Sequence, residues 1–207
     1  MLKQAALITL LGLSASAMAG EWQVKLGGSI LAPSQETDLL PAAGVVGAKA
    51  SSEVNFTPSV EYFFNDNISA EVLLATPFKH DVTIAGGTKI AELKHLPPTI
   101  TAKYHFKNAS RFTPYVGLGA TVFVPWDEEF TQPVKDALGV NKLEADVTVG
   151  VAGQIGFNFQ PADATNWGVY ADVRYADLST DLEADGAKLG KFGIDPWVYT
   201  LGYSYKF

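Results

Sequence analysis

Three histidines, His80, His95 and His105, are the side chains in this sequence best fitted to move a proton or hold a metal. Hydrolytic or acyl-transfer chemistry would set one of them against a serine nucleophile and an acidic partner. No serine-centred nucleophile motif accompanies them, so no catalytic residue is expected and the chain does not read as an enzyme. His80, Asp81 and His95 would offer a metal two nitrogens and a carboxylate, but they belong to one long connection that fixes no ligand geometry. Neither a metal nor a cofactor is expected. His80 and His95 read as solvated or hydrogen-bonded loop residues, and His105 as an inward-facing one. The string Gly117-Leu118-Gly119-Ala120 has the composition of a phosphate-binding loop without the helix such a loop needs after it. Its glycines are read as relief of crowding in a narrow interior. Asn67-Ile68-Ser69 and Asn108-Ala109-Ser110 match a glycosylation pattern on short turns and are treated as chance.

The elements that must carry these residues show themselves through a period of two. Over residues 195–207, Trp197, Tyr199, Leu201, Tyr203, Tyr205 and Phe207 fall on one side of a strand, with Val198, Thr200, Gly202, Ser204 and Lys206 on the other. Six apolar or aromatic groups in succession on one face suit a strand with lipid on one side and a polar interior on the other. The terminal Phe207 is expected to be read by a barrel-assembly machinery. Seven earlier segments share the period: residues 22–32, 53–64, 68–76, 98–106, 112–123, 143–159 and 167–178. The connections alternate between short (65–67, 107–111, 160–166) and long (33–52, 77–97, 124–142, 179–194). The expected fold class is therefore all-β: an eight-stranded antiparallel transmembrane β-barrel with short periplasmic turns and long extracellular loops. The long segments are rich in Pro, Gly and Asp and are expected to be exposed loops. A soluble barrel of reversed polarity would alternate in the same way; the aromatic last strand, the leader and the loop pattern favour the membrane.

Residues 1–19 carry Lys3, an apolar run over residues 5–13 and Ala17-Met18-Ala19 before Gly20, as a secretory signal peptide does. The run is about half the roughly 20 residues that span a bilayer as a helix. The expected division is a signal peptide over 1–19, cleaved near Ala19, and a barrel over 20–207 in the outer membrane of a Gram-negative-type bacterium. Acidic residues outnumber basic ones, 22 to 15, for a net charge of −7, which argues against nucleic acid as a partner. Cysteine is absent, so disulfides and thiolate chemistry are excluded.

Parity places Lys25, Glu53, Glu61, Glu71, Lys103, Asp146, Asp172, Arg174 and Lys206 on the polar face. Buried charges must pair or meet water. The interior is thus expected to hold an ion-pair plug that ties the barrel together and blocks aqueous flow.

The strings at residues 73–80 (LLATPFKH), 95–99 (HLPPT), 114–119 (PYVGLG) and 195–198 (DPWV), with the closing GYSYKF, stand in specific order and spacing. On them the chain resembles the outer-membrane protein W (OmpW) family, which includes the alkane-uptake porin AlkL, over its whole mature length. The resemblance implies an eight-stranded barrel and the passage of small hydrophobic molecules across the outer membrane. It also implies an apolar constriction in the upper interior, where Leu73 matches one position. Arg174 stands where a family member carries an aromatic residue, a departure that tells against a purely apolar tunnel and leaves the cargo open.

An eight-stranded barrel is just wide enough for side chains to fill, so it makes a poor aqueous channel. A hydrophobic solute would enter from the top and leave sideways into lipid through weakened strand pairing. Proline removes ladder donors. Pro77 and Pro97-Pro98 bound the second long connection, where they would either open a gap between the third and fourth strands or merely end those strands. The residues expected on the path are Leu73, Pro77, Phe78, Pro97, Pro98, Phe123, Trp126 and Arg174. Phe123, Trp126 and Phe130 would form an apolar mouth or serve as interfacial anchors. The expected function is a porin-like channel for passive uptake of small hydrophobic molecules by lateral release, with outer-membrane lipid and those solutes as partners. Two alternatives stay open: a narrow channel for small polar solutes, and a structural or adhesive barrel without transport.

Overall fold

The computed structural model describes residues 21–41 and 44–207; the expected leader, 1–19, lies outside the described residues. In chain order the elements are β1 (Glu21–Ala32), β2 (Lys49–Ala50), β3 (Glu53–Phe63), β4 (Ile68–Leu73), β5 (Phe78–Thr83), β6 (Lys89–Leu96), β7 (Thr99–His105), β8 (Phe112–Phe130), α1 (Gln132–Leu138), β9 (Leu143–Ala145), β10 (Thr148–Phe159), β11 (Trp167–Asp177), β12 (Ser179–Ala184), β13 (Ala187–Gly193) and β14 (Trp197–Lys206). Eight of these, β1, β3, β4, β7, β8, β10, β11 and β14, pair antiparallel in that order, and β14 returns to β1. Closure leaves no edge strand, the condition under which strands can span a bilayer.

Alternation decides which side chains meet lipid. Val54, Ile100, Leu118, Val149 and Leu201 are among the exposed outward positions, while Lys25, Glu61, Glu71 and Lys103 are buried inside. Rings near the short turns pack in pairs, Trp22 on Tyr62 (4.8 Å), Tyr104 on Phe106 (5.1 Å), Phe112 on Phe157 (4.6 Å) and Tyr205 on Phe207 (4.9 Å), as an interfacial girdle does. The turns themselves are closed by asparagines. Asn65 Oδ1 accepts from the backbone N–H groups of Asn67 and Ile68, both at 2.9 Å, and Asn108 Oδ1 accepts from that of Ser110 at 2.8 Å. The glycines of β8 do relieve crowding: a Cβ on Gly117 would lie 2.7 Å from the Gln154 side chain, and one on Gly119 would strike the β7 backbone at Ile100 and Thr101.

The long connections differ from expectation, because they are folded rather than open. β5 and β6 form a hairpin that joins the upper part of β8, and β8 runs on to Phe130 instead of stopping at Phe123. β2 extends this outer sheet from the side of β5. The expected sixth strand divides: Leu143–Ala145 leaves the barrel as β9 and pairs with β12, which also pairs with β13. Leu93 and Phe130 of the first outer sheet share one apolar core with Leu143, Leu182 and Phe192 of the second. Phe123, Ala152, Ala176 and Leu178, from the tops of barrel strands, belong to the same core. The two outer sheets therefore make a dome continuous with the upper barrel interior.

Candidate functional site

The middle of the lumen is filled by charge. Lys25 Nζ lies 2.5 Å from Glu61 and 3.5 Å from Glu71; Lys103 Nζ lies 3.0 and 3.4 Å from the same two carboxylates. Arg174 Nη2 donates to Glu71 at 2.9 Å and to Asp172 at 3.2 Å. Ser59 donates to Glu71 (2.7 Å), Ser69 to Glu61 (2.5 Å) and Tyr115 to Asp172 (3.1 Å). His105 Nε2 lies 2.9 Å from Glu61, and Lys103 sits 3.9 Å from the centre of the Tyr115 ring. Three cations thus face three carboxylates in a buried cluster. Parting them in a low dielectric would cost more than their contacts return in water. Not every charge that parity placed inward joins the plug. Glu53 accepts from Ser51, Asp146 is exposed beside β12, and Lys206 pairs with Glu21 at the rim. Parity fixes a face and says nothing of height along the strand.

Below the plug a polar vestibule of about 150 Å³ opens among Gln23, Lys107, Arg111 and Lys206. Above it lies a different space, a cavity of about 40 Å³. Thr57, Thr99, Thr121 and Arg174 border it, and the rest of its lining is largely apolar, including Leu31, Leu73, Phe78, Leu178 and Ile194. Thr99 donates to Thr121 at 2.9 Å.

The wall beside this cavity is interrupted. Ladder pairing between β4 and β7 runs from Ile68↔Tyr104 up to Leu73↔Thr99 and resumes only at Phe78↔His95, between β5 and β6. Among the described residues, no ladder pair joins 74–77 to 96–98. On either side of the break the neighbouring ladders continue: the N–H groups of Leu74 and Thr76 donate to Pro58 and Phe56 on β3, and Val122 on β8 donates to the Pro98 carbonyl. Pro77 and Pro97 have no N–H to offer across the break, whereas Pro98 faces β8.

A stack of rings stands over it. Phe78 lies on His95 (5.6 Å between centroids), His95 on His80 (4.9 Å) and His95 on Phe123 (4.7 Å). His80 and His95 are each 2% exposed, which removes the solvated alternative of their reading as solvated or hydrogen-bonded loop residues. His80 Nδ1 is 2.6 Å from the Ser51 carbonyl. Burial holds both imidazoles below the ordinary histidine range, and His95 further still with His80 beside it.

Leu73, Phe78, Pro97 and Arg174 are brought together around the cavity, and Phe123 stands behind them against His95. Pro77 and Pro98 flank the break without lining the cavity. Trp126 sits opposite Lys94 on the outer sheet and does not line the cavity, whereas Phe130 is in the dome core. His95 and the three threonines are members that the sequence reading passes over. The threonines have inward parity on β3, β7 and β8, which is a usable signal.

A closed eight-stranded barrel with a lipid-facing apolar band, short turns at one end and a plugged lumen defines an outer-membrane β-barrel protein. The OmpW family profile matches residues 18–207, and the chain belongs to that family. Outer membrane protein W of Vibrio cholerae is 35% identical over 199 residues, 91% of this chain and 89% of that protein. Outer membrane protein AlkL of Ectopseudomonas oleovorans is 24% identical over 207 residues, 94% and 85% of the two chains. The crystal structure of the outer membrane protein OprG from Pseudomonas aeruginosa aligns with a TM-score of 0.75 at 27% identity, covering 91% of this chain and 96% of that one. The protein is an outer-membrane barrel embedded in lipid, of a family whose members are consistent with small-molecule passage.

Proposed function

We propose that the protein is a passive, porin-like route for small hydrophobic molecules, which enter through the dome and leave sideways into the bilayer between β4 and β7. One observation carries this reading: Ala75 and Pro97, on the two lips of the ladder break, both line the apolar cavity. The plug beneath favours a sideways exit over a straight one, since a solute moving down would have to separate ion pairs buried in low dielectric. The same plug disfavours a channel for polar solutes. At about 40 Å³ the cavity has room for little more than water, so passage requires the dome to yield.

The test is uptake of an apolar and a polar solute of similar size by cells with and without the protein, repeated with Pro97→Val and Pro98→Val combined. The variant restores one backbone donor facing the break, at residue 97, and one facing β8, at residue 98. Apolar uptake should exceed that of control cells in the wild type and fall several-fold in the variant, with polar uptake unchanged in both. Unaltered apolar uptake in the variant would remove the lateral exit. A gain for the polar solute would support a polar channel, and no gain for either would support a structural or adhesive barrel.

A further inference from the structure

The polar atoms of the cavity are unevenly used. Arg174 Nη2 is committed to Glu71 and Asp172, but Nε and Nη1 of the same guanidinium have no hydrogen-bond partner among the described residues. Arg174 is 4% exposed and lines the cavity. His95 lines it too, and its Nδ1 is likewise buried and without a partner. A buried donor left unmatched costs more than an ordinary hydrogen bond returns, so such groups call for an acceptor. Leu73, Phe78 and Ile194, on the same lining, call for an apolar body.

Charge decides what kind of acceptor fits. Lys25, Lys103 and Arg174 are already balanced by Glu61, Glu71 and Asp172. A carboxylate would bring an unpaired negative charge into a buried site beside Glu71, which is expensive. A neutral oxygen accepts the same N–H groups without that penalty. We propose that the cavity, widened as the dome yields, selects molecules with an apolar body and one neutral acceptor oxygen, such as a ketone or ester, and that Arg174 determines this specificity by donating from Nε and Nη1. The proposal rests on the transport reading above and narrows its cargo. A hydrogen bond from a charged donor supports a preference of about tenfold over the matching hydrocarbon.

The experiment compares uptake of n-octane, 2-octanone and octanoate by cells that make the protein and cells that do not, with the wild type and Arg174→Lys. The lysine keeps a cation for Glu71 and Asp172 and removes the two free guanidinium donors. The gain for the ketone should exceed that for octane about tenfold, octanoate should gain least, and in the variant the ketone-to-octane ratio should fall toward one. Equal gains for ketone and octane in the wild type would mean that water satisfies the donors, and would overturn the proposal while leaving transport intact. A ratio that survives Arg174→Lys, or a larger gain for octanoate, would overturn it as well. No gain for any of the three would overturn both this proposal and the transport reading. Should the lysine variant fail to fold, the wild-type ratios still decide.

Discussion

Midway through the barrel, Glu71 is held by Lys25, Lys103, Arg174 and Ser59, while in the dome Leu182, Phe192 and Ile194 are held by apolar neighbours alone in kind. Both interiors are closed, yet they resist change differently. Charge pairs have few acceptable arrangements, because each displaced group is left unsatisfied at high cost. Apolar contacts are non-directional and can be traded for one another with small losses. On the proposed route each property would serve where it sits: the upper half would yield to a solute, and the lower half would keep the periplasmic side shut.

The largest effect should come from breaking the plug. Glu71→Ala leaves two lysines and an arginine facing one fewer carboxylate in a buried site, and removal of one partner from such a network costs about 3–5 kcal/mol. The denaturant midpoint of the barrel in lipid vesicles should drop accordingly. A loss below about 1 kcal/mol would mean that water already reaches the cluster, and the contrast between the halves would fail.

That contrast is legible in the sequence only in part. The eight spanning strands are, because lipid on one side and polar groups on the other impose a strict period of two from Trp22 to Phe207. The plug is legible as composition and not as contacts: Glu53, Asp146 and Lys206 share the parity of Glu71 but sit at the strand ends or beyond. The dome is the real omission. Asp185-Gly186 is a strong hairpin signal, and both residues have positive φ, 49° and 81°, as the turn between β12 and β13 requires. Gly86-Gly87 marks the other hairpin, with φ of 92° and 83°. Segments rich in Gly, Pro and Asp between membrane strands read as loops because their apolar residues find partners only across two sheets. The ring stack is hidden for the same reason, since His95 meets Phe78 only after β5 and β6 have paired.

An intermediate effect should follow from pH in the dome. Free histidine side chains take up a proton near pH 6.5, whereas burial keeps His80 and His95 neutral to lower pH. Between those limits an opened dome binds more protons than a closed one, so closure weakens as the pH falls below about 6.5 and regains its full strength above it. Glu53 and Asp81 near His80 offset part of this loss, and His95 has only His80 beside it. Amide exchange in β5 and β6 should therefore quicken from pH 7 toward pH 5 after correction for intrinsic rates, while the histidine-free barrel strands β11 and β14 stay protected. Parallel changes in all four strands would show that the dome and the lower barrel open as one unit.

The smallest change in stability carries the sharpest question about passage. Ile194→Val removes one methylene from the cavity lining, at a cost of about 0.5–1.5 kcal/mol, and leaves the plug untouched. Ile155→Val makes the same deletion on the lipid face, where the side chain is 63% exposed and little packing is lost. If the dome is the deformable half and its cavity the constriction, uptake of an apolar solute should rise with Ile194→Val and stay level with Ile155→Val. Equal uptake in the two variants would place the slow step elsewhere, at the break beside Pro97 or in the bilayer beyond it.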